Sequence, residues 1–158
     1  MLVIRKAEET DIPLILDFIK LIAEYEKLSH EVIADEHTLR ETLFREKSTI
    51  EVLLAYEDNE PAGYAIYFHN FSTFIGRQGI YLEDLFVKPH LRGKGIGKKL
   101  LLEIVKKAKE RNCGRVEWSV LNWNTPAIDF YKSLGAVPMD GWTVFRLTED
   151  KFDTLLNQ

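Results

Sequence analysis

The chain carries one cysteine, Cys113, in 158 residues. A single thiol forms no intrachain disulfide and no cysteine-rich zinc site, and such usage fits a reducing, cytoplasmic setting. Long apolar runs are missing as well. Residues Met1 to Asp11 mix apolar and charged side chains, so neither a secretory leader nor a membrane anchor is expected. Positive charge is not in excess: 21 Lys and Arg stand against 25 Asp and Glu, a formal charge of −4 that argues against a dedicated nucleic-acid binder. His30, His37, His69 and His90 show no ligand spacing, and no metal is expected. Repeats, low-complexity tracts and Pro/Gly/Ser-rich linkers are absent, so residues 1–158 are expected to form a single domain.

What is present suffices for an ordinary core. Hydrophobic residues are 46% of the chain, and folding at this length typically buries roughly 70% of the unfolded surface, so no covalent or metal staple is needed. Leu2 to Arg5 reads as a short strand. Thr10 or Asp11 stands as a helix cap, with Pro13 in the first turn of a helix expected to reach about Leu28. A second helix is expected from Asp35. Ile50–Tyr56 and Pro61 to about Phe71 read as an antiparallel hairpin turning through Glu57 to Glu60, and Gly79–Val87 as a further strand. A helix from about Gly95 to Arg111, a strand from Arg115 to Leu121, a helix from Asn124 to Leu134 and a last strand from Trp142 to Leu147 complete the pattern. Hairpins followed by alternating strands and helices predict an α/β, mixed α+β fold with a central mixed sheet flanked by helices.

The most informative segment is Arg92-Gly93-Lys94-Gly95-Ile96-Gly97-Lys98, between a strand and an amphipathic helix. Glycines lacking Cβ let successive backbone N–H groups converge on one anion, and the helix start adds a partial positive charge. The spacing is neither that of a P-loop nor that of a dinucleotide-binding fingerprint.

This R-x-x-G-x-G segment resembles the acetyl-CoA pyrophosphate loop of the GNAT N-acetyltransferases. The likeness extends to Tyr81-Leu82-Glu83-Asp84-Leu85-Phe86-Val87 before it, to the stretch from Trp123 to Ala136 after it, to Ala23–Glu26 and to Gly141-Trp142. These segments are similar to the diamine (spermidine/spermine, thialysine) acetyltransferase branch. The resemblance implies acetyl-CoA as cosubstrate, held by residues 92–98, by the backbone of Leu85, Phe86 and Val87, and by Asn124 and Tyr131. It implies a homodimer acting on a small cationic amine, with no nucleic-acid or membrane partner.

Acetyl transfer sets chemical demands. An alkylammonium of pKa about 10.4 must lose a proton first, at a cost of about 4.6 kcal/mol at pH 7. Glu83 is the candidate proton relay, and Asp84 helps attract the cation. Both sit in an apolar strand, where their side chains point to opposite faces unless a bulge intervenes. Either could equally be a solvated or ion-paired strand-end residue. The departing thiolate needs an acid, and the resemblance assigns this to Tyr131, two helical turns after Asn124. Asn124 is also a good cap, and Tyr131 shares an apolar stripe with Ala127 and Leu134. Glu26, Glu83, Asp84 and Asp140 match positions that line the amine pocket of the branch, with Phe74 as an apolar wall. Phe74 in place of Trp, and Met139 before Asp140 in place of an acidic pair, leave polyamines, diamines, lysine and thialysine all open as substrates. A non-catalytic coenzyme-binding module and a protein or peptide amine acetyltransferase remain as alternatives.

Overall fold

The computed structural model describes residues 1–158, whose backbone groups into two compact units, residues 1–119 and 120–158. The first is built on a five-stranded sheet of β1 (Leu2–Lys6), β2 (Glu51–Glu57), β3 (Glu60–Ser72), β4 (Arg77–Val87) and β5 (Val116–Glu117), in that spatial order. The first four strands pair antiparallel, and β5 runs parallel to β4, which makes the sheet mixed. The β2–β3 turn narrows to Asp58 and Asn59, both at positive φ (48° and 67°), the geometry that a two-residue hairpin favours. The terminal amine of Met1 hydrogen-bonds Asp58 and closes that corner.

Helices α1 (Ile12–Tyr25), α2 (Glu36–Leu43) and α3 (Ile96–Glu110) accompany the sheet. Ile15 and Phe18 of α1 join Val52, Leu54, Tyr64, Ile66 and Phe86 in one buried cluster. Phe18 stacks on Tyr64 at 5.1 Å and meets Phe86 edge-on at 6.4 Å. Alternation along β3 turns Ala65 and Tyr67 to the opposite face. Helix α3 packs on β3 and β4 and buries Ile96, Leu100 and Ile104.

Helix α2 begins beside the expected Asp35, which caps it by accepting from the Thr38 amide at 2.8 Å. Asp11 precedes α1 but makes no cap bond to it; its carboxylate accepts from the Glu8 amide and, in two bonds of 2.7 and 2.8 Å, from Arg5. Helix α1 stops at Tyr25 rather than Leu28. Lys27 turns left-handed (φ 62°), and the Leu28 amide reaches back to the Ala23 carbonyl at 2.8 Å, a Schellman closure that leaves Glu26 as the C-cap.

The second unit contains α4 (Thr125–Ser133) and α5 (Phe152–Leu156). Two expected strands are corrected. The strand expected over Arg115–Leu121 pairs for two residues only, Val116 and Glu117, and Trp142–Leu147 forms no strand at all. An extended segment becomes a strand only where a neighbour takes its backbone groups. The 120–158 unit offers no strand for Trp142–Leu147 to pair with.

Candidate active site

The glycine-rich loop lies where the sequence places it, between β4 and α3. Gly93 and Gly95 are left-handed, at φ 79° and 78°, and Gly95 is the N-cap of α3. An added Cβ at either would meet nothing within 4 Å, so open space lies before both. The first backbone bond of α3 runs from the Lys99 amide to the Gly95 carbonyl at 3.0 Å, leaving the preceding amides of the first turn to point out of the helix end. Ile96 is buried, so only its backbone can serve a ligand, whereas Lys94 and Lys98 are exposed. The open space, the two left-handed glycines and the amide-rich helix end together fit a diphosphate.

Arg92 behaves differently from its neighbours. Its Nε donates to the Val87 carbonyl at 2.8 Å, and its guanidinium lies over the Tyr25 ring at 4.6 Å and the Phe86 ring at 5.3 Å. The side chain therefore ties the loop to the end of β4 and the end of α1.

Strand β4 contains the irregularity that its acidic pair required. Tyr67 opposes Leu82 and Ile66 opposes Asp84, so the register skips Glu83, the extra residue of a β-bulge. On the other side β5 accompanies β4 only at Ile80 and Tyr81, and no strand of the sheet pairs with it from Leu82 onward. The Lys88 amide is given to the Ala62 carbonyl. Alternation then turns the amides of Phe86 and Asp84 toward β3 and those of Leu85 and Val87 toward the open edge. Phe86, expected beside them as a coenzyme contact, thus directs its amide to β3 and its ring into the core.

Three of the expected acidic residues act electrostatically on one tyrosine. The Tyr64 hydroxyl, wholly buried, donates to Asp84 Oδ2 at 2.6 Å. Burial holds the Asp84 carboxyl above the ordinary carboxylate range, against the lowering effect of that hydrogen bond. Glu26 is also raised, first by burial and then by the charge of Asp84. Tyr64 is pushed well above its usual value by burial, with Asp84, Glu26 and Glu83 all adding to the shift. The charge of Asp84 thus bears on Glu26 near one buried phenol, and a cation there would relieve that repulsion.

Phe74 lies apart, 93% exposed in the β3–β4 hairpin tip beyond Arg77, and the strand from Arg77 to Asp84 spans roughly 20 Å. In the second unit the Asn124 side chain accepts from the Ala127 amide at 3.4 Å as the N-cap of α4. Tyr131 lies two turns along that helix with its ring 5.5 Å from Phe130, and Asp140 is exposed in the turn that follows α4. Sequence reasoning missed Tyr64. Its apolar surroundings, Gly63 to Phe68, mark it as core, and only the position of Asp84 across the bulge gives its hydroxyl a function. No three His, Cys, Asp or Glu side chains gather as a metal site, and no helix is long and apolar enough to cross a membrane.

Comparison with known proteins agrees with this geometry. The Acetyltransferase (GNAT) family pattern matches residues 16–136. The chain is 40% identical over 154 residues to the thialysine N-epsilon-acetyltransferase of Bos taurus, covering 90% of each chain. It is 32% identical over 197 residues to the L-ornithine N5-acetyltransferase of Arabidopsis thaliana, covering 96% of this chain and 86% of the other. Among solved structures, an integron cassette protein from the mobile metagenome of V. cholerae superposes with a TM-score of 0.81 at 28% identity, over 99% of this chain and 98% of that one. Loop, split strand edge and likeness together establish the chain as a member of the GNAT family, an acetyl-CoA-dependent acetyltransferase.

Proposed function

We propose that the protein acetylates a primary amine of a small dibasic substrate, such as thialysine, ornithine, lysine or a diamine, by direct attack on acetyl-CoA. The observation that carries this reading is the hydrogen bond by which the buried Tyr64 holds Asp84, next to Glu83, on the strand whose open edge leads into the glycine loop. The thialysine and ornithine acetyltransferases among its relatives support the same substrate class.

In this scheme residues 93–98 hold the diphosphate of acetyl-CoA through backbone amides and Lys94 and Lys98, and Arg92 fixes the loop. The amides of Leu85 and Val87 align the pantetheine and polarise the acetyl carbonyl. Glu83, exposed at the bulge, accepts the ammonium proton through water, and the neutral nitrogen attacks the thioester carbon. Asn124 contacts the pantetheine arm. The tetrahedral intermediate collapses with loss of the CoA thiolate, which Tyr131 protonates, and the second proton shed by the nitrogen as it becomes an amide restores the phenol through solvent. Glu26, Asp84 and Asp140 take the second positive charge. Homodimerisation and a cytoplasmic location complete the proposal, the latter from the lone free Cys113.

The test is thiol release from acetyl-CoA with thialysine, ornithine, lysine, 1,3-diaminopropane, spermidine and a peptide panel, with products identified by mass. Turnover with small dibasic amines is expected. Coenzyme binding with every amine unmodified would instead identify a sensing module, and turnover of peptides alone a protein acetyltransferase. Tyr131→Phe is expected to lower kcat about 100-fold or more with little change in CoA affinity, the behaviour of a general acid. An unchanged kcat removes that role.

A further inference from the structure

Building on the proposed amine acetylation, we propose that Tyr64 is a positioning residue for substrate specificity: its buried hydroxyl fixes the Asp84 carboxylate, and that carboxylate selects amines with a second cationic group. Three observations carry the inference. First, the hydroxyl is wholly buried and donates to Asp84 Oδ2 at 2.6 Å, the short range of a hydrogen bond to a charged acceptor. Second, the phenol cannot swing away, because its ring is stacked on Phe18 at 5.1 Å with the planes 8° apart, inside the cluster of Ile15, Leu54 and Phe86. Third, Asp84 follows Glu83, the extra residue of a bulge, where backbone pairing alone holds a side chain less firmly. The rigid donor from β3 therefore sets where the Asp84 carboxylate lies. Glu26, at the Schellman end of α1, shares that field.

Phenylalanine in place of Tyr64 would preserve the stack and the volume while removing the donor. Nothing in the core would then stop Asp84 from rotating toward solvent. A dibasic amine would lose a placed counter-charge, whereas an amine with one positive group would lose nothing at that position. The proposal therefore predicts a selective effect on KM rather than a general loss.

The experiment compares matched acceptors in steady-state acetylation: L-ornithine against 5-aminopentanoate, which lacks the α-amino group, and 1,3-diaminopropane against n-propylamine. Tyr64→Phe is expected to raise KM about tenfold for both dibasic amines, with kcat within twofold. KM for acetyl-CoA and for both monoamines should stay unchanged. Asp84→Asn, which keeps an acceptor for the phenol but removes the charge, should reproduce the dibasic loss, and adding Tyr64→Phe to it should change KM little further. If Tyr64→Phe melts below the wild type, the comparison is made below its melting onset, where the ratio of dibasic to monoamine KM still separates lost positioning from lost fold. Equal losses for monoamines and dibasic amines would reduce Tyr64 to packing, and an unchanged KM for dibasic amines would overturn the proposal outright. If the wild type acetylates no amine, the proposed function fails and the inference falls with it. If it acetylates dibasic amines and Tyr64→Phe behaves as wild type, the inference alone fails.

Discussion

Asp84 shows how a side chain can work against the stability of the fold that holds it. Burial raises its carboxyl above the unfolded value, so the folded state holds that proton more tightly than the unfolded chain. The contribution to stability is therefore full at acid pH and is lost as pH climbs from the ordinary carboxylate range through the raised one. Asp84→Asn removes the titrating group while Tyr64 can still donate to the amide oxygen. The variant is expected to melt higher than wild type at pH 7, with the gain fading toward pH 4, while acetylation of dibasic amines declines. Melting curves across that range check it; a lower melting temperature at pH 7 would show that the carboxylate is a net stabiliser. Asp11 provides the contrast. Arg5 holds its carboxyl below the usual range through two hydrogen bonds, so its contribution is present at neutral pH and lost on acidification.

At the scale of elements, the site depends on how closely β3 approaches β4. A Cβ on Gly63 would lie 2.5 Å from the Phe86 carbonyl oxygen and 3.2 Å from Val87 Cγ2, and a backbone oxygen between paired strands cannot step aside. Gly63→Ala is expected to destabilise the protein by about 1–3 kcal/mol, as overpacking does. It should also raise KM for acetyl-CoA, because the displaced strand carries the Leu85 and Val87 amides. Urea midpoints and steady-state kinetics check both effects, and a wild-type midpoint would contradict them. Elements with strong local signals were legible in the chain: the periodic α3, the start of α2 at Asp35 and the polar turn at Asp58-Asn59. So was the glycine loop, because left-handed backbone leaves a direct mark on residue choice. Glu83-Asp84 announced an irregular strand, but the one-residue bulge depends on register with β3, which no local pattern encodes. Tyr64 and the inward turn of Arg92 were hidden for the same reason: their partners are Asp84, Tyr25 and Val87, and only the sheet brings these together.

For the molecule as a whole, the segment that disobeyed its own pattern is the informative one. Trp142, Val144, Phe145 and Leu147 are 73%, 85%, 92% and 58% exposed. If extended, Trp142 and Val144 would lie on one face and Phe145 and Leu147 on the other, the composition of a strand covered on both sides. Each large apolar side chain left in water forgoes about 1.5–3 kcal/mol of burial. Four together are a strong drive toward association, and the modest net charge of −4 opposes it little. The proposed homodimer gives this segment a surface to be buried against. Light scattering on the wild type is expected to give twice the 18.4 kDa of one chain, and Phe145→Asp, which sets a charge in that surface, should shift the population to the single-chain mass. A wild type that scatters as one chain across the concentration range of the activity assay would refute the dimer.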